Sequence, residues 1–196
     1  MIFNMVTAVN GGGGGGQVDP QVPSAYQEVE YLICTDYQHV EVDVVPQYKL
    51  ITVDASSNNA SSTNEQGFAG YRYDTGNVWE FYFSTNRAFV YERNPDVQYG
   101  YIQAGTDERV RVSYVILSGN TGPLRMNFGC YRTSQYPFAG KLYRVEVESP
   151  LDDSVHILLK PCYRKSDSVI GMYDVINDVF YTNNGPGAFG KGPDVN

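Results

Sequence analysis

The feature that most constrains this chain is alternation. From Gln38 onward, apolar residues recur at every second position in short runs separated by turn residues. Such a period marks a strand with one buried face, because successive side chains leave a pleated backbone on opposite sides. Val40, Val42 and Val44 share one face of Gln38 to Val45, with His39, Glu41 and Asp43 on the other. Trp79, Phe81 and Phe83 share a face of Val78 to Ser84, and Val110, Val112, Tyr114 and Ile116 one of Arg109 to Leu117. Tyr143, Val145 and Val147 align in Lys141 to Glu148. Tyr48 to Val53, Phe68 to Tyr73, Arg87 to Arg93, Leu124 to Cys130, Val155 to Tyr163, Val169 to Asp174 and Val179 to Thr182 complete the set. Gly119 to Gly122 reads as a hairpin turn, and Asp54 to Gln66 as a polar loop. No segment holds a helical apolar period over three turns. About ten short strands at this spacing predict an all-β fold, an antiparallel jelly-roll β-sandwich.

Composition narrows the partners. Lys plus Arg number 14 against 22 Asp plus Glu, for a net charge of -8. Without a basic cluster the chain makes a poor nucleic-acid binder, since phosphate contact needs concentrated positive charge. Its 17 tyrosines and 9 phenylalanines exclude a disordered acidic tail. No apolar run reaches the length of a membrane-spanning helix. Cys34, Cys130 and Cys162 are odd in number and widely spaced. They read as small buried hydrophobes, with one bridge plus a free thiol left open.

The N-terminus divides from the rest. Residues 1–23 carry an apolar start, six glycines from Gly11 to Gly16, and then Pro20 and Pro23. A signal peptide would need a basic flank and a small-residue cleavage site, which are missing. Polyglycine has maximal backbone entropy and no side chain to pack, so alone it forms a flexible linker. Held by neighbouring chains, it becomes a strap, with Ile2, Phe3, Met5 and Val6 as an apolar anchor. Residues 1–23 are thus expected to be an extended glycine-rich arm and 24–196 the sandwich.

Two stretches resemble a known family. In VPSAYQEVEYLICTDYQHVEVDVV, residues Tyr26, Val29, Glu30, Tyr31, Leu32, Thr35, Gln38 and Val40 fit its opening pattern. Asp36 and Asp43 stand where glycine is usual, and His39 replaces an aromatic. In PCYRKSDSVIGMYDVINDVFYTNNGPGAFGKGPDV, the Pro161-to-Asp167 run, Gly171 to Asp174 and Phe180 to Asn183 fit its C-terminal hairpin. Both are similar to the concanavalin A-like, laminin-G-like jelly-roll domain of gut bacteriophage virion proteins and Firmicutes surface proteins. The resemblance implies a non-enzymatic virion structural protein, a capsid- or tail-attached decoration or fibre. Its partners would be other virion proteins and further copies of itself, and its location the virion. The alternative is a carbohydrate-binding receptor-recognition module on a phage or gut bacterial surface. The C-terminal motif reads as structural, with Arg164 and Lys165 near Asp167 in a polar turn.

Catalytic patterns are sparse. Jelly-roll glycosidases carry Glu-x-Asp-x-x-Glu on one strand, and Glu41 and Asp43 supply its first two carboxylates. Pro46 occupies the third place and cannot transfer a proton. The two histidines, His39 and His156, stand apart, and no nucleophile elbow, zinc motif or phosphate loop is present. We therefore expect no enzyme and no resident cofactor. Asp107-Glu108 and Asp152-Asp153 are calcium candidates that read first as turn charges. Aromatics between Tyr71 and Asn94 are the best surface candidates, because sugars and proteins both bind flat rings flanked by polar groups. We expect Trp79 in the core and Tyr82, beside Glu80, as an exposed platform. Tyr71, Arg87, Tyr91 and Asn94 would complete a glycan or partner surface.

Overall fold

The computed structural model describes residues 19–44, 47–72, 78–93, 98–116, 126–130, 137–152 and 154–196. Of residues 71, 72, 78, 92, 93, 98 and 99 it describes the backbone alone. The strands among them are β1 (Tyr26–Glu28), β2 (Leu32–Cys34), β3 (Val40–Val42), β4 (Leu50–Ser57), β5 (Gln66–Arg72), β6 (Val78–Ser84), β7 (Arg87–Arg93) and β8 (Gln98–Gln103). There follow β9 (Val110–Val115), β10 (Met126–Phe128), β11 (Gly140–Glu148), β12 (His156–Arg164), β13 (Ile170–Asp174), β14 (Val179–Thr182) and β15 (Gly190–Lys191). Every pairing is antiparallel, and the described residues include no helix, so the chain is all-β.

The strands form two sheets. The second has six, in the order β3-β10-β5-β6-β7-β8. The first has nine, built on the run β14-β13-β12-β11-β4-β9. Midway, β12 and β11 diverge. β1 takes the vacant side of β12, and β2 that of β11, with β15 beside β2. The sheets face each other across one core, as a sandwich must. Ile51, Val53, Val145, Val147 and Leu159 bury the first sheet's inner face, and Phe68, Phe81, Phe83 and Val90 the second's. Phe68 lies 4.7 Å from Phe83, which stacks on Phe138 at 6.2 Å. Each such side chain stabilises the fold by about 2–3 kcal/mol relative to exposure.

Three local expectations are corrected. The stretch Asp54 to Ser57 is not loop but the end of β4, and of the expected loop only residues 58–65 lie between β4 and β5. Asp54 belongs in a strand because Arg109 and Arg111, on the neighbouring β9 side, supply its countercharge (2.6 Å each). Tyr143 does not share a face with Val145. The pairing of β11 with β4 slips between Leu142 and Arg144. Such a bulge turns the extra residue outward and brings Leu142 into line with Val145 and Val147. His39, expected on the solvent face of β3, is fully buried.

His39 is covered by the C-terminal motif. Its backbone N–H donates to Asn183 Oδ1 at 3.0 Å, and its carbonyl accepts from the Asn184 N–H at 2.8 Å. A side chain at Gly185 would run into the Tyr37 carbonyl, and Gly187 needs a positive φ of 76°. Only glycine meets both demands without strain. The Asn183-Asn184-Gly185-Pro186-Gly187 run therefore locks onto Tyr37 to His39. The two stretches that resemble one family interlock. Arg164 makes a two-pronged ion pair with Asp167, and Lys165 donates to the Ser24 carbonyl. The three cysteines are buried free thiols.

Candidate functional site

The outer face of the second sheet carries a row of aromatic side chains. Alternation sends Trp79, Phe81 and Phe83 of β6 inward and Glu80, Tyr82 and Ser84 outward. Register then sets Tyr82 opposite Phe89 of β7, and Phe89 opposite Tyr101 of β8. Tyr82 stacks on Phe89 at 5.0 Å and 11°, and Phe89 meets Tyr101 at 5.8 Å. The Arg87 guanidinium sits 4.4 Å above the Tyr101 ring. Cross-strand aromatic pairs of this kind each add a few tenths of a kcal/mol to about 1 kcal/mol. On β5 the residue facing Tyr82 is Gly67, so no side chain continues the row.

The row differs from the expected surface. Trp79 is in the core as expected, at 2% exposure. Tyr82 is not an open platform: it is 9% exposed, covered along its ring by Phe89, and Glu80 is buried beside it. The open end is Tyr101, at 50% exposure on edge strand β8. That strand was missed because Gly100 interrupts its alternation, although Tyr99 and Tyr101 already carried the signal. Arg87 and Tyr91 lie on β7, where Tyr91 pairs Glu80 in the next row. Tyr71 pairs with Trp79, a core position, and not with Tyr82. Asn94 lies outside the described residues.

The opposite face of the sandwich holds the root of the arm. Lys160 of β12 points outward, yet its side chain is only 4% exposed. Its ammonium donates to Asp19 at 2.6 Å and to Glu28 of β1 at 3.3 Å. Asp19 also accepts from Arg144 of β11 at 3.0 Å. Burial works against the Asp19 carboxylate, but the hydrogen bonds and charges of Lys160 and Arg144 hold its pKa below the ordinary 3.8. The chain thus enters the domain pinned across the first sheet. Ile2, Phe3, Met5, Val6, Gly11 and Gly16 lie outside the described residues.

One cluster arises only from pairing. Glu146 and Glu148 of β11 meet His156 of β12, with ligand atoms within 4.8 Å of one another. Two carboxylates and an imidazole can hold a divalent cation. Here Glu146 already faces Arg144 at 3.5 Å, and His156 Nε2 stands 3.3 Å from it. The calcium candidates serve their own surroundings: Glu108 accepts from the Gly105 N–H, Asp107 pairs with Lys141, and Asp152 accepts from the Ser154 N–H. Glu41 lies 3.7 Å from buried His39, and Pro46 lies outside the described residues.

The fold and these two faces define a two-sheet antiparallel β-sandwich fixed to its N-terminal segment on one side. A scan against protein-family models finds no match, and a search of the curated proteins finds none either.

Proposed function

We propose that the chain is a non-enzymatic structural protein of a bacteriophage particle, a concanavalin A-like sandwich tethered to a capsid or tail. The observation that carries this reading is the seat of Asp19 between Lys160 and Arg144. It gives the arm a fixed exit on the first sheet, so the outer face of the second sheet points away from the attachment point. Anchor residues Ile2, Phe3, Met5 and Val6 would pack in a neighbouring virion protein, with Gly11 to Gly16 as the strap. A Tyr- and Arg-bearing face suits contact with further copies or other shell proteins. The test is deletion of residues 1–16. The truncated protein should fold and be absent from purified particles; its normal incorporation overturns the proposal.

The second reading is carbohydrate recognition, as a receptor-binding module. It is favoured by Tyr101, a half-exposed ring edged by Arg87, which matches how proteins stack on sugar faces. Binding on a glycan array that falls on Tyr101→Ala would support it at that place.

A further inference from the structure

The cluster of Glu146, Glu148 and His156 is built where β11 and β12 run side by side. Alternation sends Val145 and Val147 of β11 into the core and Glu146 and Glu148 to the outer face of the first sheet. Register then pairs His156 of β12 with Glu148. One oxygen of each carboxylate and one imidazole nitrogen lie within 4.8 Å of one another. The strands beneath them are held in place, because Val145, Val147, Ile157 and Leu159 are buried in the core. Ligands carried on such a fixed pair of strands need little reordering to bind.

The electrostatics favour a cation here. Glu146 uses its two oxygens separately: Oε2 faces Arg144 at 3.5 Å, and Oε1 faces His156 Nε2 at 3.3 Å. The guanidinium thus turns Oε1 toward the imidazole, in the way an outer partner orients a metal ligand. Two cations act on Glu146, and each is balanced by another carboxylate: Arg144 by Asp19 and Arg111 by Asp54. Among the described residues Glu148 has no hydrogen-bond or ion-pair partner, although it is half-buried. Two carboxylates side by side disfavour each other's charge, and a divalent cation between them removes that cost.

The donor set selects the metal. A carboxylate only accepts hydrogen bonds, so Nε2 carries the imidazole hydrogen where it meets Glu146. With that hydrogen on Nδ1 instead, Nε2 becomes a ligand. Ligands at about 2.0–2.2 Å from zinc stand about 3.3–3.6 Å apart on a tetrahedron. His156 Nε2 and Glu146 Oε1 already have that spacing, and Glu148 must close by about 1.5 Å at most. Calcium takes about six to eight oxygens and magnesium an octahedron of them, whereas imidazole suits zinc. We propose that Glu146, Glu148 and His156 bind a zinc ion that clasps β11 to β12, with water in the fourth place. The site stands whether the domain serves attachment or glycan recognition.

The test is calorimetry on the full, untagged chain after chelator treatment and dialysis, with zinc, calcium and magnesium chlorides as probes. Zinc should bind at one ion per chain, and calcium and magnesium at least about a hundredfold more weakly. His156→Ala and Glu148→Gln each remove a direct ligand, so each should weaken zinc binding at least about a hundredfold, more than the loss of an outer partner. The His156 side chain is 44% exposed and Glu148→Gln keeps its shape, and thermal melting in chelator confirms that both variants fold. The chain holds only two histidines, so imidazole 15N spectra read the site directly. Zinc should shift Nε2 of His156 and leave buried His39 unchanged. It should also raise the melting temperature of the natural chain and not that of His156→Ala. Undiminished zinc binding in either variant, a shift at His39 in place of His156, or equal binding of calcium overturns the site. No zinc binding at about 1 mM metal overturns it as well.

Discussion

Replacing Asp19 with Asn isolates the attachment of the arm. The substitution keeps the shape and removes the charge that meets Lys160 at 2.6 Å and Arg144 at 3.0 Å. Asp19 is 49% exposed, so solvent screening places the Arg144 pair at about 0.5 kcal/mol. The Lys160 partner is buried, which raises that bond to about 1.5 kcal/mol. Together they hold segment 19–22 with about 2 kcal/mol, about a thirtyfold preference for the docked state. The docked fraction should fall from about 97% to about half. The domain itself should hardly notice, because Lys160 keeps Glu28 at 3.3 Å. Backbone 15N relaxation of Gln21 and Val22 reads this directly. Their order parameters should drop from near 0.85, typical of rigid backbone, toward about 0.6. The sign with pH follows from the lowered carboxyl pKa. Docking strength is fully present above 3.8, the ordinary value, and is lost as pH falls through the depressed one. Unchanged relaxation in Asp19→Asn, or a melting temperature lowered by more than about 5 °C, would refute the clamp.

The remaining predictions concern the body of the domain. Phe68→Ala should cost about 3–5 kcal/mol, because a fully buried ring packed on Phe81, Phe83 and Phe138 leaves a cavity; scanning calorimetry should show a drop of about 6–20 °C. Gly185→Ala should cost about 1–3 kcal/mol in chemical denaturation, since the new methyl group meets the Tyr37 carbonyl. Asp54→Ala removes a carboxylate that is 3% exposed and shared by Arg109 and Arg111. Both guanidiniums reach water, so the loss should be about 2 kcal/mol and not the larger cost of a stranded buried charge. The three thiols should resist Ellman's reagent until the protein unfolds. Burial raises Cys162 from 9.0 to about 12 and pushes Cys34 up as well. Unfolded thiols ionise first, so stability should fall as pH rises from 9 toward 12.

The β class and most of the core were legible because period two is local. Val40, Val42, Trp79, Phe81, Phe83 and Val112 are buried as their alternation required. What escaped depends on distant neighbours. The Asp54-to-Ser57 run looks like loop until Arg109 and Arg111, more than fifty residues on, supply countercharge. His39 looks solvent-facing until Asn183 to Gly187 cover it. Tyr143 changes face because of a bulge that no periodicity announces. The candidate sites follow the same rule. Glu146, Glu148 and His156 form one cluster only through the pairing of β11 with β12. Tyr101 was within reach of the sequence, had the Tyr99-Tyr101 alternation outweighed Gly100.

The two outer faces share aromatic rings and differ in their ion pairs, and that difference bears on function. The first sheet's outside carries the ion pairs: Asp54 holds Arg109 and Arg111, Lys160 holds Glu28 and Asp19, and Arg144 bridges Asp19 and Glu146, beside the rings of Tyr26, Tyr173 and Phe180. Charges paired in this way are committed to the fold and to the arm. The second sheet's outside places Tyr82, Phe89 and Tyr101 in register toward an edge strand, with Arg87 over the last ring. Aromatics and arginine are what protein interfaces concentrate, while paired surface charges add little affinity. A domain of this design can be held at Asp19 on one face and still present the row of Tyr82, Phe89 and Tyr101 on the other. Substituting Asp19 and Tyr101 singly should therefore perturb two separate measurements: order of the arm, and contact with a protein or glycan partner. Coupling between the two would mean that the faces are not independent and that a change in the sandwich itself lies beneath them.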